Sequence, residues 1–396
     1  MAEPPQCLEE PAPFPEIAAS PSAGAVSGLR LNGENVDIAT GLRGDAILVP
    51  LQIKNETLQF VLDTGASVSV LDSTVAARFG HLRRSRKTYP PRCPPVFEMP
   101  AARLQNFATD IAIDAALADL TGARVVSGHA VAGLLGSDVA EGLVVGIDFD
   151  NGRLILSDKL AAPTSEGIPL IRDEYGRPCI EVTISTGRQI RFLIDTGMLA
   201  PGVGELSADV FEDLHKSGQL AAVGATAHVQ TLAGESAGRK GQLTKFKVGP
   251  FVHRGIGVRE GTLNGFGLDY LSRYRVTIDY ARNRLFLAPG NRIAEPTAFD
   301  MSGLAVVTRD GSIIIDKVHA DTPADAAGIQ AGDRLISLNG SQINIAKMLD
   351  IRRALAGRAG SILTMQIDRL GTKHEVHLTL ANWQHVDIAA QTASTE

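Results

Sequence analysis

Two aspartates set in one short pattern are the residues of this chain best suited to chemistry. The first stands in Phe60-Val61-Leu62-Asp63-Thr64-Gly65-Ala66-Ser67 and the second in Phe192-Leu193-Ile194-Asp195-Thr196-Gly197-Met198-Leu199. In each, an apolar run carries the carboxylate into a Thr-Gly turn, which predicts a buried strand ending at the aspartate. A lone ionised carboxylate is costly in such a place. Two brought together hold one proton between them, because both cannot easily ionise at close range. Such a pair activates water: the ionised member accepts its proton, while the protonated member polarises a carbonyl and later supplies a proton. Peptide-bond hydrolysis by that route uses no metal, no Ser or Cys nucleophile and no cofactor.

The residues around each aspartate suit a close approach of two loops. Gly65 and Gly197 let backbone N–H groups reach the carboxylates. Thr64 and Thr196 offer hydroxyls to hold the loops in register, and their β-branching stiffens the turns. Neither Ala66 nor Met198 has a hydroxyl to donate to a carboxylate. A missing donor favours the protonated form, so the expectation is activity at weakly acidic to near-neutral pH.

The elements that must position these loops recur along the chain. Asp195 lies 132 residues after Asp63 (195 − 63), whereas Gly136 and Gly267, Asp138 and Asp269, Asp148 and Asp279, and Arg153 and Arg284 are each 131 apart (267 − 136 and so on). One inserted or deleted residue accounts for the difference. Ala46 to Ile53, Leu58 to Leu62, Leu143 to Asp148 and Arg153 to Leu156 read as strands, the last two joined by a tight turn at Asn151-Gly152. Tyr274 to Asp279 and Arg284 to Leu287 read the same way. Residues 43–160 and 166–290 are therefore expected to be two copies of one β-rich lobe, related by a pseudo-twofold axis. The Arg-, Lys- and Pro-rich stretch 81–95 reads as a solvated surface excursion.

Composition bounds the rest. The chain has 396 residues, 44% of them hydrophobic, which suffices for two or three domains with sizeable cores. A net charge of -6 gives no basic face for nucleic acid. No apolar run approaches the ~18 residues of a membrane span. Cys7, Cys93 and Cys179 are far apart and form neither a disulfide framework nor a zinc knuckle. Residues 1–42 read as a disordered leader and 383–396 as a flexible tail. Met1 to Glu10 is acidic and lacks the basic and apolar regions of a secretory signal, which reads as cytoplasmic for the chain as written, with a periplasmic or exported location as the alternative. A monomer is expected.

Residues 45–290 resemble a retropepsin-like aspartic protease of the pepsin superfamily with two lobes in one chain. The Asp63 segment matches that family's catalytic motif, and Ile194-Asp195-Thr196-Gly197 matches it again. Leu134-Leu135-Gly136 and Gly265-Phe266-Gly267 match its second signature, the loop behind each aspartate. The resemblance implies a mainly β fold of two β-barrel lobes. It implies Asp63 and Asp195 as the catalytic dyad, supported by Thr64, Gly65, Thr196 and Gly197. It also implies a substrate flap at Ala233-Gly234-Glu235-Ser236. Met198 stands where the family carries Ala, Ser or Thr, and the flap region of the first lobe is the Pro- and Arg-rich loop instead.

Residues 300–382 resemble a PDZ domain, a small α+β module, of the kind attached to bacterial proteases. Ser302-Gly303-Leu304-Ala305 is similar to its carboxylate-binding loop, although Ala305-Val306 replaces the usual Gly-Phe. Ala327-Gly328-Ile329-Gln330-Ala331-Gly332-Asp333-Arg334-Leu335-Ile336-Ser337-Leu338-Asn339-Gly340 is the most diagnostic stretch. A PDZ domain adds an extended peptide to a sheet edge and caps its C-terminal carboxylate with loop N–H groups, here those of Gly303, Leu304 and Ala305. Together these resemblances imply an aspartic endopeptidase acting on protein or peptide substrates, with a PDZ domain for peptide docking or regulation. The alternative is a catalytically impaired, protease-like peptide-binding adaptor.

Overall fold

The computed structural model describes residues 31, 35–41, 44–87, 94–104, 110–159, 166–184, 187–199, 204–231, 234–295, 297, 299–383 and 392–395. The fold is mainly β, with four sheets and short helices. No helix among the described residues is long and apolar enough to cross a membrane.

The first sheet has the strand order Val96–Glu98, Asp114–Ala118, Val70–Asp72, Val131–Leu135, Glu56–Leu62, Leu48–Ile53, Ala102–Leu104. Glu56–Leu62 lies between two partners, antiparallel to Leu48–Ile53 and parallel to Val131–Leu135. Pairing on both sides and cover on both faces explain why Phe60, Val61 and Leu62 form a continuous apolar run, at 0%, 4% and 3% exposure.

A second sheet repeats this order. Gly234–Leu243, Ile256–Gly261, Gly204–Ser207, Gly265–Phe266, Gln189–Ile194, Pro178–Ile184 and Phe246–Val248 follow one another, with Leu220–Thr231 outside the first of them. The parallel contacts fall in the same two places. Gln189–Ile194 runs parallel to Gly265–Phe266, as Gly204–Ser207 does to Ile256–Gly261. Phe192, Leu193 and Ile194 are again buried.

A six-stranded antiparallel sheet joins the two halves, in the order Asn35–Ala39, Arg153–Ser157, Val144–Asp148, Tyr274–Asp279, Arg284–Pro289, Ile168–Pro169. At its centre Gly146 pairs with Thr277, a residue 131 positions on (277 − 146), and the ladder ends at Val144 with Asp279 and at Asp148 with Arg275. One continuous core runs through all three sheets, from Leu31 to Leu285.

Two boundaries differ from the sequence reading. Asn35–Ala39, assigned to a disordered leader, is an edge strand paired with Arg153–Ser157. Its alternation buries Val36 and Ile38, a pattern too short to stand out before its partner, more than a hundred residues on, is in place. Residues 1–30 of the leader lie outside the described residues. Within the expected flexible tail, Thr392–Thr395 pairs with Phe251–Arg254 at the edge of the second sheet.

The C-terminal module has its own sheet, ordered Leu304–Arg309, Ser312–Val318, Arg334–Leu338, Ile362–Arg369, Thr372–Thr379, and its own core from Phe299 to Leu380. It meets the first half through the helix Thr121–Ser127. The Thr308 hydroxyl donates to the carbonyls of Arg124 and Val125, each at 3.1 Å. Gly128, which ends that helix at φ +74, abuts the Ile345 carbonyl. The same helix packs against the strand Leu220–Thr231 and is anchored by Arg124 to the buried Asp72, 2.9 Å away.

Candidate active site

Asp63 and Asp195 each leave the end of a central strand. The Asp63 N–H donates to Leu135 O at 2.9 Å and the Asp195 N–H to Phe266 O at 3.0 Å, so each parallel neighbour fixes the backbone of its aspartate. The turn then folds back on the carboxylate. Gly65 N and Ala66 N donate to Asp63 Oδ1 at 2.9 and 3.1 Å. Gly197 N and Met198 N donate to Asp195 Oδ1 at 2.8 and 3.0 Å. Met198 thus supplies the same N–H as Ala66, and its side chain lies against Gly267, where no Cβ competes for the space.

The two turns interlock through their threonines. Thr64 N donates to Thr196 Oγ1 at 3.0 Å and Thr196 N donates to Thr64 Oγ1 at 3.1 Å. Each hydroxyl passes its own proton across to the opposite strand, Thr64 Oγ1 to Ile194 O at 2.5 Å and Thr196 Oγ1 to Leu62 O at 2.7 Å. Four buried bonds across a gap of about 130 residues in sequence hold the loops face to face. Asp63 and Asp195 are thereby close enough to act on one another's protonation.

Burial governs their protonation, and the neighbouring groups modify it. Burial pushes the Asp63 carboxyl above its ordinary range, against the pull of the Ala66 and Gly65 N–H groups, the hydrogen bond from Asp195 and the charge of Arg177. Burial also pushes Asp195 up, and the adjacent Asp63 charge adds to the rise. Two close carboxyl groups in partial burial hold a proton that a solvated pair would release.

Three supporting residues escaped the sequence reading. Arg177 closes a tight turn in which Asp173 accepts from Arg177 N at 2.8 Å and from its Nε at 2.7 Å. The guanidinium then reaches Gly65 O at 3.4 Å, and its charge acts on both carboxyls. The only local signal was Gly176-Arg177-Pro178, which marks a turn without saying where the side chain points. Ser137 Oγ donates to Thr64 O at 2.8 Å. The matching position in the second half is Leu268 (268 − 137 = 131), and that mismatch in the repeat was the signal available. Asp138, beside Ser137, is raised to about 6 by burial, opposed by Ser69, whose hydroxyl donates to it at 2.9 Å.

Of the expected flap residues, Gly234, Glu235 and Ser236 begin the strand Gly234–Leu243, which pairs back onto Leu220–Thr231 as a long hairpin. Ala233 lies outside the described residues, as do Cys7 and Cys93. Cys179 is buried, and burial pushes its thiol up to about 12. No group of three or more His, Cys, Asp or Glu among the described residues is arranged to hold a metal ion.

The PDZ loop departs from expectation. Gly303 takes φ +82 and packs so closely on Thr322 that a Cβ would lie 2.2 Å from Thr322 Oγ1. Its N–H, however, donates to Asp300 Oδ2 at 2.8 Å, and Leu304 N donates to Ser302 Oγ at 3.0 Å. Ser302 N and Trp383 Nε1 also donate to Asp300, both at 3.1 Å. An aspartate two residues before Ser302 folds back on the following N–H groups, as Asx turns do. Ala305 lies in the strand, opposite Lys317.

Residues 314–369 match the family model described as a PDZ domain, and the C-terminal module is a PDZ domain. Among curated proteins, a Mesorhizobium japonicum protein named as a zinc metalloprotease is 34% identical over 95 residues, covering 24% of this chain and 21% of that one. The carboxy-terminal processing protease CtpB of Bacillus subtilis is 32% identical over 80 residues, covering 20% of this chain and 17% of its own. The chain therefore spans about a fifth of the length of the curated relatives it matches.

Proposed function

We propose that this chain is a peptidase of the aspartic type, in which residues 35–290 form a two-lobed catalytic unit and the PDZ domain docks polypeptide. The observation that carries the reading is the reciprocal Thr64–Thr196 bonding, which sets Asp63 and Asp195 face to face. The shared strand order of the two sheets and the Gly146–Thr277 pairing support a lobe pair with a pseudo-twofold axis. The names of the two relatives favour a role in proteolysis. Both cover a stretch the size of one small domain, and they are named for other kinds of protease, so the aspartic type rests on the site alone.

In this reading a water lies between the carboxyl groups. The ionised aspartate takes its proton as the oxygen attacks the scissile carbonyl, whose oxygen accepts a hydrogen bond from the protonated aspartate. The amide nitrogen then takes a proton from the pair as the C–N bond breaks. Arg177 limits how far the pair's affinity for that proton rises.

The test is cleavage of an unfolded protein such as casein. Asp63→Ala and Asp195→Ala are each expected to abolish it, and chelators to leave it intact. Cleavage that survives Asp195→Ala and is lost in Asp63→Ala means a site built from two copies of the first lobe. Loss on chelation means a metal-dependent route.

A further inference from the structure

The PDZ loop in this chain holds a carboxylate of its own. Asp300 accepts from Gly303 N, Ser302 N and Trp383 Nε1, and Leu304 N is taken by Ser302. The His319 ring stacks on Trp383 at 5.2 Å between centroids. Two of the three N–H groups that would receive a peptide C-terminus are thus spent. A ligand carboxylate there would face the charge of Asp300 with few donors left to offset its desolvation.

The neighbouring strand tells a different story. Leu304–Arg309 ends its sheet, and no strand among the described residues pairs with its outer edge. At its far end Thr308 is bonded to the helix Thr121–Ser127. Between the Asp300 turn and that helix the edge runs for about 13 Å, at ~3.3 Å per residue, enough to pair some four residues of an extended chain. Backbone pairing to an edge asks nothing of a terminal carboxylate.

We infer that this PDZ domain binds an extended internal stretch of a polypeptide and not a free C-terminus. The inference rests on the peptide-docking reading of the module and is independent of the aspartate pair. A protein that cuts within chains gains from such a dock, because an internal stretch is present before any new C-terminus exists.

The experiment uses the immobilised full chain and two pools of randomised short peptides, alike except that one ends in carboxylates and the other in carboxamides. Retained intact peptides are counted by mass spectrometry. Wild type is expected to retain the two pools within about twofold of each other. Asp300→Ala, which frees the Gly303 N–H and removes the charge, is expected to favour the carboxylate pool about tenfold or more. Asp300→Asn, which removes the charge and keeps one of the two acceptor oxygens, is expected to show a smaller preference of the same sign. The emission of Trp383, the only tryptophan, reports whether the turn stays formed in each variant. Wild-type preference for the carboxylate pool of tenfold overturns the inference and leaves peptide docking intact. Retention of neither pool overturns docking itself. No gain for the carboxylate pool in either variant, with Trp383 emission unchanged, removes Asp300 as the cause and overturns the inference too.

Discussion

Gly197 faces the Asp63 carboxyl group so closely that a Cβ there would lie 2.3 Å from Asp63 Cγ. Gly65 stands in the same relation to Asp195, at 2.5 Å. Neither glycine has a positive φ, so alanine strains neither backbone. What it disturbs is the approach of one loop to the carboxyl group of the other. Gly197→Ala and Gly65→Ala are each expected to lower kcat/KM by at least about a hundredfold, the scale of a 1 Å misplacement. Circular dichroism is expected to stay at wild type. Activity within a few-fold of wild type shows that the facing geometry is not what the reaction uses.

The threonine interlock predicts a stability effect. In Thr196→Val, the buried Thr64 N–H and Leu62 O each lose a partner. Leaving two such groups unsatisfied costs on the order of 3 kcal/mol. Thr64→Val has the mirrored effect on Thr196 N and Ile194 O. Thr→Ser at either position keeps the hydroxyl and is expected to recover most of the loss. Urea unfolding measures both. If valine and serine variants are equally stable, the hydroxyls do not hold the lobes together.

Much of this site was legible because its parts are local. A buried apolar run, an aspartate and a Thr-Gly turn sit within eight residues, and their recurrence fixed which second loop to look for. What the sequence left hidden depends on contacts between distant segments. Arg177 lies far from Asp63 along the chain and reaches its loop only after Asp173 has closed a turn. Asn35–Ala39 is too short to announce a strand until Arg153–Ser157 offers an edge. The glycine of the PDZ loop was plain, but the destination of its N–H was not. Asp300 is an ordinary turn residue by type, and only the folded loop shows that it accepts the Gly303 N–H.

Arg177 makes the pH dependence specific. Its charge lowers the proton affinity of both aspartates, while burial raises it and, for Asp195, the neighbouring Asp63 charge raises it further. The net direction is upward, so kcat/KM is expected to peak at weakly acidic to near-neutral pH. A peak below about pH 4 contradicts it. Removing the cation in Arg177→Met is expected to move both limbs of the profile up, by about one unit. Arg177→Lys keeps a charge and is expected to move them less. Ala66→Ser adds a hydroxyl beside the pair and is expected to move them down. A purely structural role for Arg177 lowers the rate and leaves the limbs where they were.

A buried histidine links the fold to the same pH range. His253 is fully buried, and its Nε2 lies 3.0 Å from the Tyr270 hydroxyl and 2.8 Å from that of Tyr274. Burial, with the Arg273 charge second, lowers its pKa from 6.5 to about 4. The folded state thus holds the neutral ring, while the unfolded chain takes up a proton below pH 6.5. Its contribution is complete above pH 6.5 and is lost as the pH falls from 6.5 towards 4, a change of about 3 kcal/mol. Wild type is expected to lose that much more stability between pH 7 and pH 4 than His253→Gln, whose amide still bonds the tyrosines without titrating. Carboxylates act alike in both proteins, so the difference isolates this ring. Equal losses in urea unfolding at the two pH values assign the acid sensitivity elsewhere. An aspartate pair tuned upward and a core that weakens below pH 6.5 both favour stability and protonation states suited to near neutrality, and the His253→Gln comparison separates the second from the first.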